Sequence, residues 1–168
     1  MTDRMTDDSR LRAGMTIMKN ILFVCTGNSC RSVMAEGLFR KIISDRPEEF
    51  FVASAGLNAA DGLPAAPEAV DALKAEGVDV SHHKSRRLTH ELLDWADKIL
   101  VMEKIHEDWI LGMAPSAKDK VGLLTEYSSD QDIRRQGNIP DPIRMPESFY
   151  RNVMNVIRDC VKNMAEKF

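Results

Sequence analysis

The chain has 168 residues, enough for one domain with a sizeable core and short for two. Its 23 Lys and Arg against 26 Asp and Glu leave a net charge of −3, with the signs interspersed, so no basic footprint for nucleic acid or an anionic membrane is present. Three cysteines are too few for a disulfide scaffold, and no apolar stretch approaches the ~18–20 residues of a membrane span; a reducing, cytoplasmic setting is expected.

Residues 1–18 are polar, carry Asp3, Asp7 and Asp8, and lack the apolar core of a signal peptide. They read as a disordered extension, with Met5, Met15 and Met18 as alternative starts, ahead of a domain over residues 19–168. Asn20 to Val24 is a short buried strand, and Ser32 to Ile43 a helix ended by Pro47. Phe51 to Ala53 forms a second strand, Gly56 to Gly62 a turn, and Pro67 to Glu76 a helix with proline at its start and Gly77 past its end. Val78 to Val80 is brief and extended; Thr89 caps a short helix through Trp95; Lys98 to Met102 is a third strand and Glu103 to Leu111 a helix. Val121 to Leu124 makes a fourth strand. The polar, aperiodic stretch from Tyr127 to Pro146 reads as a long surface loop and a candidate lid, before a terminal helix over residues 147–167.

Alternating strands and helices predict an α/β single domain, a three-layer sandwich whose parallel sheet carries helices on both faces and binds its ligand at the carboxyl ends of the strands. One loop lies at such an end and carries its own nucleophile: Cys25-Thr26-Gly27-Asn28-Ser29-Cys30-Arg31-Ser32. Backbone N–H groups of a strand-to-helix loop, with the positive helix end, make an anion site. The five residues between Cys25 and Arg31 are about enough to circle a tetrahedral oxyanion, over which Arg31 folds its planar fork. That environment favours ionisation of Cys25, and Ser32 can donate to its sulfur. Gly27 allows a tight turn, and Asn28 tolerates a left-handed conformation.

Phosphoryl transfer to sulfur needs a proton donor opposite. Asp141, stiffened between Pro140 and Pro142, is the candidate, and it would later activate water. His83 could donate to Asn28 and lock the loop. Cys30 is either a buried loop thiol or the partner in a reversible disulfide with Cys25. Cys25 and Cys30 with His82 and His83 could instead form a zinc site, against which stand Arg31 beside the ligands and the wide cysteine spacing. Among the remaining residues, Cys160 is expected in the core, Trp95 and Trp109 as packing residues, and His90 and His106 at solvated helix positions.

These residues resemble the low-molecular-weight protein tyrosine phosphatase family. The resemblance runs from about Lys19 to the terminal helix, through the Val24-to-Ser32 segment with Ala35-Glu36, Ser54-Ala55-Gly56, Ser81-His82-His83, Ala96-Asp97 leading into Val101-Met102, and Asp141-Pro142. It implies four parallel strands and hydrolysis through a phosphocysteine, with no metal or cofactor. The implied roles are Cys25 as nucleophile, Arg31 as phosphoryl binder with Thr26, Gly27, Asn28, Ser29 and Cys30 around it, Ser32 as thiolate support, Asn28 and His83 as braces and Asp141 as general acid. The implied partner is a phosphorylated protein or small phosphoester, met by a monomer or weak homodimer.

Tyrosine-directed members usually carry an aliphatic residue where this chain has Ser29, and relatives resembling arginine phosphatases carry threonine. Val33 replaces the usual proline, and Ile143 and Arg144 stand where aromatics are common, so a guanidinium is the expected alternative to a phenyl ring. Thioredoxin-coupled arsenate reductases can carry the same serine, but they need two further resolving cysteines, and Cys30 and Cys160 are not placed for that relay. A catalytically idle phosphate-binding module is the remaining alternative.

Overall fold

The computed structural model describes residues 18–168; apart from Met18, the expected N-terminal extension lies outside the described residues. Four parallel strands, β1 (Lys19–Cys25), β2 (Phe50–Gly56), β3 (Lys98–Val101) and β4 (Val121–Leu123), form one sheet in the order β2-β1-β3-β4. The helices are α1 (Arg31–Ile42), α2 (Pro67–Ala75), α3 (His90–Trp95), α4 (Lys104–Met113), α5 (Gln131–Gln136) and α6 (Glu147–Lys167).

Residues 21–24 of β1 are fully buried, and strand alternation sorts them between the two faces. Ile21, Phe23 and Cys25 join α1, α2 and α6 in one core, where Phe39 packs edge-on against both Phe23 and Phe50. Leu22 and Val24 join Leu93 of α3 and Ile110 of α4 in the other. This is the expected three-layer α/β architecture. The chain leaves β1 for β2 on one side and reaches β3 on the other, so the loop after β1 opens at the point where strand order reverses.

Three sequence expectations are corrected. The Tyr127-to-Pro146 stretch is not all loop: Asp130 accepts from the N–H groups of Asp132 and Ile133, and Gly137 ends α5 with φ 75°. Beyond it, Ile139 N–H bonds the Met102 carbonyl and Asn138 accepts from Lys104 N–H, tying this lid candidate to the end of β3 and the start of α4. Second, β2 continues to Gly56, where three small residues pair with Phe23, Val24 and Cys25. Third, α4 turns the opposite face inward: His106 is 1% exposed beside Ile110, whereas Trp109 is 54% exposed and Ile105 is also outside. The inward face packs Ile110 and Met113 into the core, and Glu103 and His106 make polar bonds on the same side.

Candidate active site

The loop from Cys25 to Arg31 is shaped by what holds its carbonyls. Cys25 O accepts from Leu57 N–H, Thr26 O from Asn58 N–H, Asn28 O from the His83 ring and Ser29 O from Ala66 N–H, all at 2.9–3.0 Å. In a trans peptide the following N–H points the other way. The N–H groups of Thr26, Gly27, Ser29 and Cys30 are therefore turned from those flanking segments into the loop. Helix α1 begins at Arg31 with no acidic residue in its first turn and no side-chain cap, leaving its positive end for an anion.

Asn28 is the keystone of this curl. It adopts φ 53°, a left-handed conformation that asparagine tolerates better than most residues, and it is fully buried. Its side-chain amide donates to Ser32 Oγ at 2.8 Å and to Ser54 Oγ at 2.9 Å, and its Oδ1 accepts from Arg86 N–H at 3.0 Å. Since Asn28 occupies an acceptor position of Ser32, the Ser32 proton is free for the Cys25 sulfur, 2.9 Å away. His83 Nε2 donates to the Asn28 carbonyl at 2.9 Å. Gly56 lies directly beneath: a Cβ there would meet Thr26 O at 2.6 Å and Asn28 N at 2.8 Å.

Arg31 is 2% exposed, and its guanidinium is held from two directions. NH1 donates to Glu103 Oε2 at 2.7 Å and to the Ile139 carbonyl at 2.8 Å, while NH2 lies 3.6 Å from Asp141 Oδ2. The Asp141 side chain is 42% exposed, and its Oδ1 accepts from Ile143 N–H, closing a small turn over the prolines. The anchoring of Ile139 is thus what carries Asp141 to the arginine.

His106, expected in solvent, belongs to this cluster. Its Nδ1 accepts from Glu103 N–H at 3.1 Å, so Nε2 carries the proton that it donates to Thr26 Oγ1 at 2.9 Å. Burial and then the Arg31 charge push its pKa down to about 4. The other thiols are quiet: burial pushes Cys30 up, with Ser29 Oγ at 3.8 Å and Tyr150 OH at 3.9 Å, and burial pushes core-packed Cys160 up to about 12. All three cysteines are free. Among the described residues no three His, Cys, Asp or Glu side chains gather as a metal site, so the zinc alternative for Cys25, Cys30, His82 and His83 has no geometry behind it.

The site thus brings together Cys25, Thr26, Gly27, Asn28, Ser29, Cys30, Arg31, Ser32, His83 and Asp141. Sequence reasoning did not assign Glu103, His106, Ser54, Arg86 or the Ile139 carbonyl. For Glu103 and His106 a signal existed, an acidic residue followed three positions later by a polar one at a helix start, which is a capping-box spacing.

A sequence profile described as low molecular weight phosphotyrosine protein phosphatase matches residues 20–168. A protein-arginine-phosphatase of Geobacillus stearothermophilus is 39% identical, the alignment covering 88% of this chain and 94% of the relative. A probable low molecular weight protein-tyrosine-phosphatase, EpsP, of Ralstonia nicotianae is 34% identical over 84% of this chain and 90% of its own. The solved structure of the YwlE arginine phosphatase from Geobacillus stearothermophilus superimposes with a TM-score of 0.80 at 38% identity, over 89% of this chain and 92% of that one. With both sequence and fold matching across almost the whole described chain, this protein belongs to the low molecular weight phosphotyrosine protein phosphatase family.

Proposed function

We propose that the chain hydrolyses a phosphorylated protein side chain in two steps, with phosphoarginine the favoured substrate and phosphotyrosine the second. The Cys25 sulfur attacks phosphorus inside the loop, forming an S–P bond as the P–N or P–O bond breaks, and Asp141 delivers its proton to the departing group. Water then attacks the cysteinyl phosphate and yields its proton to Asp141, and the S–P bond breaks to release inorganic phosphate and return the thiolate. The inward N–H groups, the end of α1 and Arg31 Nε and NH2 hold the equatorial oxygens as charge builds. Ser32 donates to sulfur before attack and again as it leaves.

One observation carries this reading: Cys25 Sγ and Ser32 Oγ lie 2.9 Å apart at the floor of a loop whose Cys25, Thr26, Asn28 and Ser29 carbonyls are bound to flanking segments, with Arg31 and Asp141 3.6 Å apart. Phosphoarginine is favoured by the relatives named as arginine phosphatases, by Ser29 at the loop, and by Ile143 and Arg144 in place of an aromatic wall. A nucleophilic thiolate fits a reducing, cytoplasmic setting, and no described helix is long and apolar enough to cross a membrane.

The test compares phosphoarginine with phosphotyrosine peptides, in the native chain and after Ser29→Ile. The reading requires a higher kcat/KM for phosphoarginine that moves toward phosphotyrosine in the variant. Preference for phosphotyrosine that does not respond to Ser29 contradicts the substrate assignment.

A further inference from the structure

We propose that His106 is a positioning residue for this reaction: its neutral ring locks Thr26, the first residue of the phosphate loop after the nucleophile, to the glutamate that grips Arg31. The proposal rests on the phosphatase reading above and adds to it a part that composition would assign to the surface.

The geometry is a short chain of contacts. Arg31 NH1 meets Glu103 Oε2 at 2.7 Å; that same oxygen lies 3.5 Å from His106 Nε2; and Nε2–H donates to Thr26 Oγ1 at 2.9 Å. The ring's other nitrogen is occupied by Glu103 N–H. One imidazole therefore fixes the backbone from which Glu103 projects and, on its opposite edge, the residue beside Cys25. The phosphate loop and its arginine leave from the two ends of a curl of seven residues, Cys25 to Arg31, and His106 is the side chain that joins the first part of the curl to the clamp on the last. A substrate phosphoryl group drawing on both ends needs them in fixed register.

Only the neutral form can do this. A protonated ring has no acceptor for Glu103 N–H, and it would place a second cation beside Arg31 of α1. The other charges facing it are Glu103 at the start of its own helix and Asp141 from the loop after α5. Although both are acidic, burial and Arg31 outweigh them and keep the ring neutral through the working range.

Thr26 is exposed, so Thr26→Val removes the acceptor with little risk to folding. His106→Asn keeps an acceptor near the Nδ1 position and loses reach to Thr26; His106→Gln places a donor near the Nε2 position. With an aryl phosphate as substrate and inorganic phosphate as competing ligand, Thr26→Val and His106→Asn are expected to lower kcat by about 3- to 10-fold with KM changed little, the scale of one positioned hydrogen bond. Combining them should add nothing, and His106→Gln should recover much of the loss. Nitrogen-15 spectra of the native chain should show His106 protonated at Nε2 alone down to about pH 5. Equal behaviour of the Asn and Gln variants, full additivity with Thr26→Val, or a ring protonated at Nδ1 overturns the proposal. A native chain that hydrolyses no phosphate ester overturns the phosphatase reading instead, and the spectra and phosphate affinity then still decide the role of His106.

Discussion

Arg31 and Glu103 stand 72 positions apart in sequence and meet at 2.7 Å, joining the start of α1 to the start of α4 across the end of the sheet. Removing one partner of a largely buried ion pair strands the other. Glu103→Gln should therefore lower stability by about 1–3 kcal/mol, since Ile139 O and Asp141 remain near the guanidinium. A bound phosphate can replace the lost carboxylate as a counter-charge. Inorganic phosphate should thus raise the Tm of the variant more than that of the native chain, while kcat falls because Arg31 is less well aimed. Calorimetry with and without phosphate checks this, and an equal phosphate response in both proteins would count against the clamp.

Gly56 carries a prediction of a different kind, because all three of its close neighbours are backbone atoms of the phosphate loop: Thr26 O, Asn28 N and Gly27 C. None can yield by a rotamer change. Gly56→Ala must push the loop away from β2, and a displacement of a few tenths of an ångström to an ångström there should lower kcat/KM by up to about a hundred-fold. Far-ultraviolet circular dichroism should remain native, separating a shifted loop from an unfolded chain.

Asp141→Asn keeps the shape of the turn over the prolines and removes the proton. Hydrolysis of esters or phosphoramidates with poor leaving groups should slow by about 10²–10⁴-fold, and that of activated aryl phosphates far less. A plot of log kcat against leaving-group pKa becomes steeper in the variant if Asp141 is the donor; parallel lines would assign the proton to another group.

His106 makes stability depend on acidity. With a folded pKa near 4 against an ordinary 6.5, the unfolded chain binds the proton more readily, so stability is complete above about pH 6.5 and falls as pH drops toward 4. The full loss is on the order of 3 kcal/mol, and below pH 4 this group contributes no further change. Chemical denaturation at pH 7 and pH 4.5 should show that decline in the native chain and a smaller one in His106→Asn.

The fold was legible because its signals are local. Ile21 to Val24 is an apolar run that follows polar Lys19 and Asn20, Pro67 and Gly77 bracket α2, and the spacing of Val153, Ile157, Cys160 and Met164 marks one face of α6. The phosphate loop was legible for the same reason, since Cys25 to Ser32 is contiguous. What remained hidden is what touches that loop from a distance. Ser54, Arg86, Glu103, His106 and the Ile139 carbonyl act through contacts spanning 26 to 108 positions, which no window of residues can register. Helix α4 shows the difficulty most clearly: its apolar Ile105 and Trp109 face outward while Ile110 packs inward beside the polar contacts of His106.

The claim on which the rest depends is that phosphorus is bonded to the Cys25 sulfur during turnover. Acid-quenched intact-protein mass spectrometry on the Asp141→Asn chain, mixed with an activated aryl phosphate, tests it directly, because attack proceeds there while hydrolysis of the intermediate is slowed. A single phosphoryl adduct, mapped by digestion to the peptide containing Cys25 and absent in the Cys25→Ala, Asp141→Asn chain, is the result expected at this thiol. Turnover with no adduct, or hydrolysis that continues in Cys25→Ser, would contradict it.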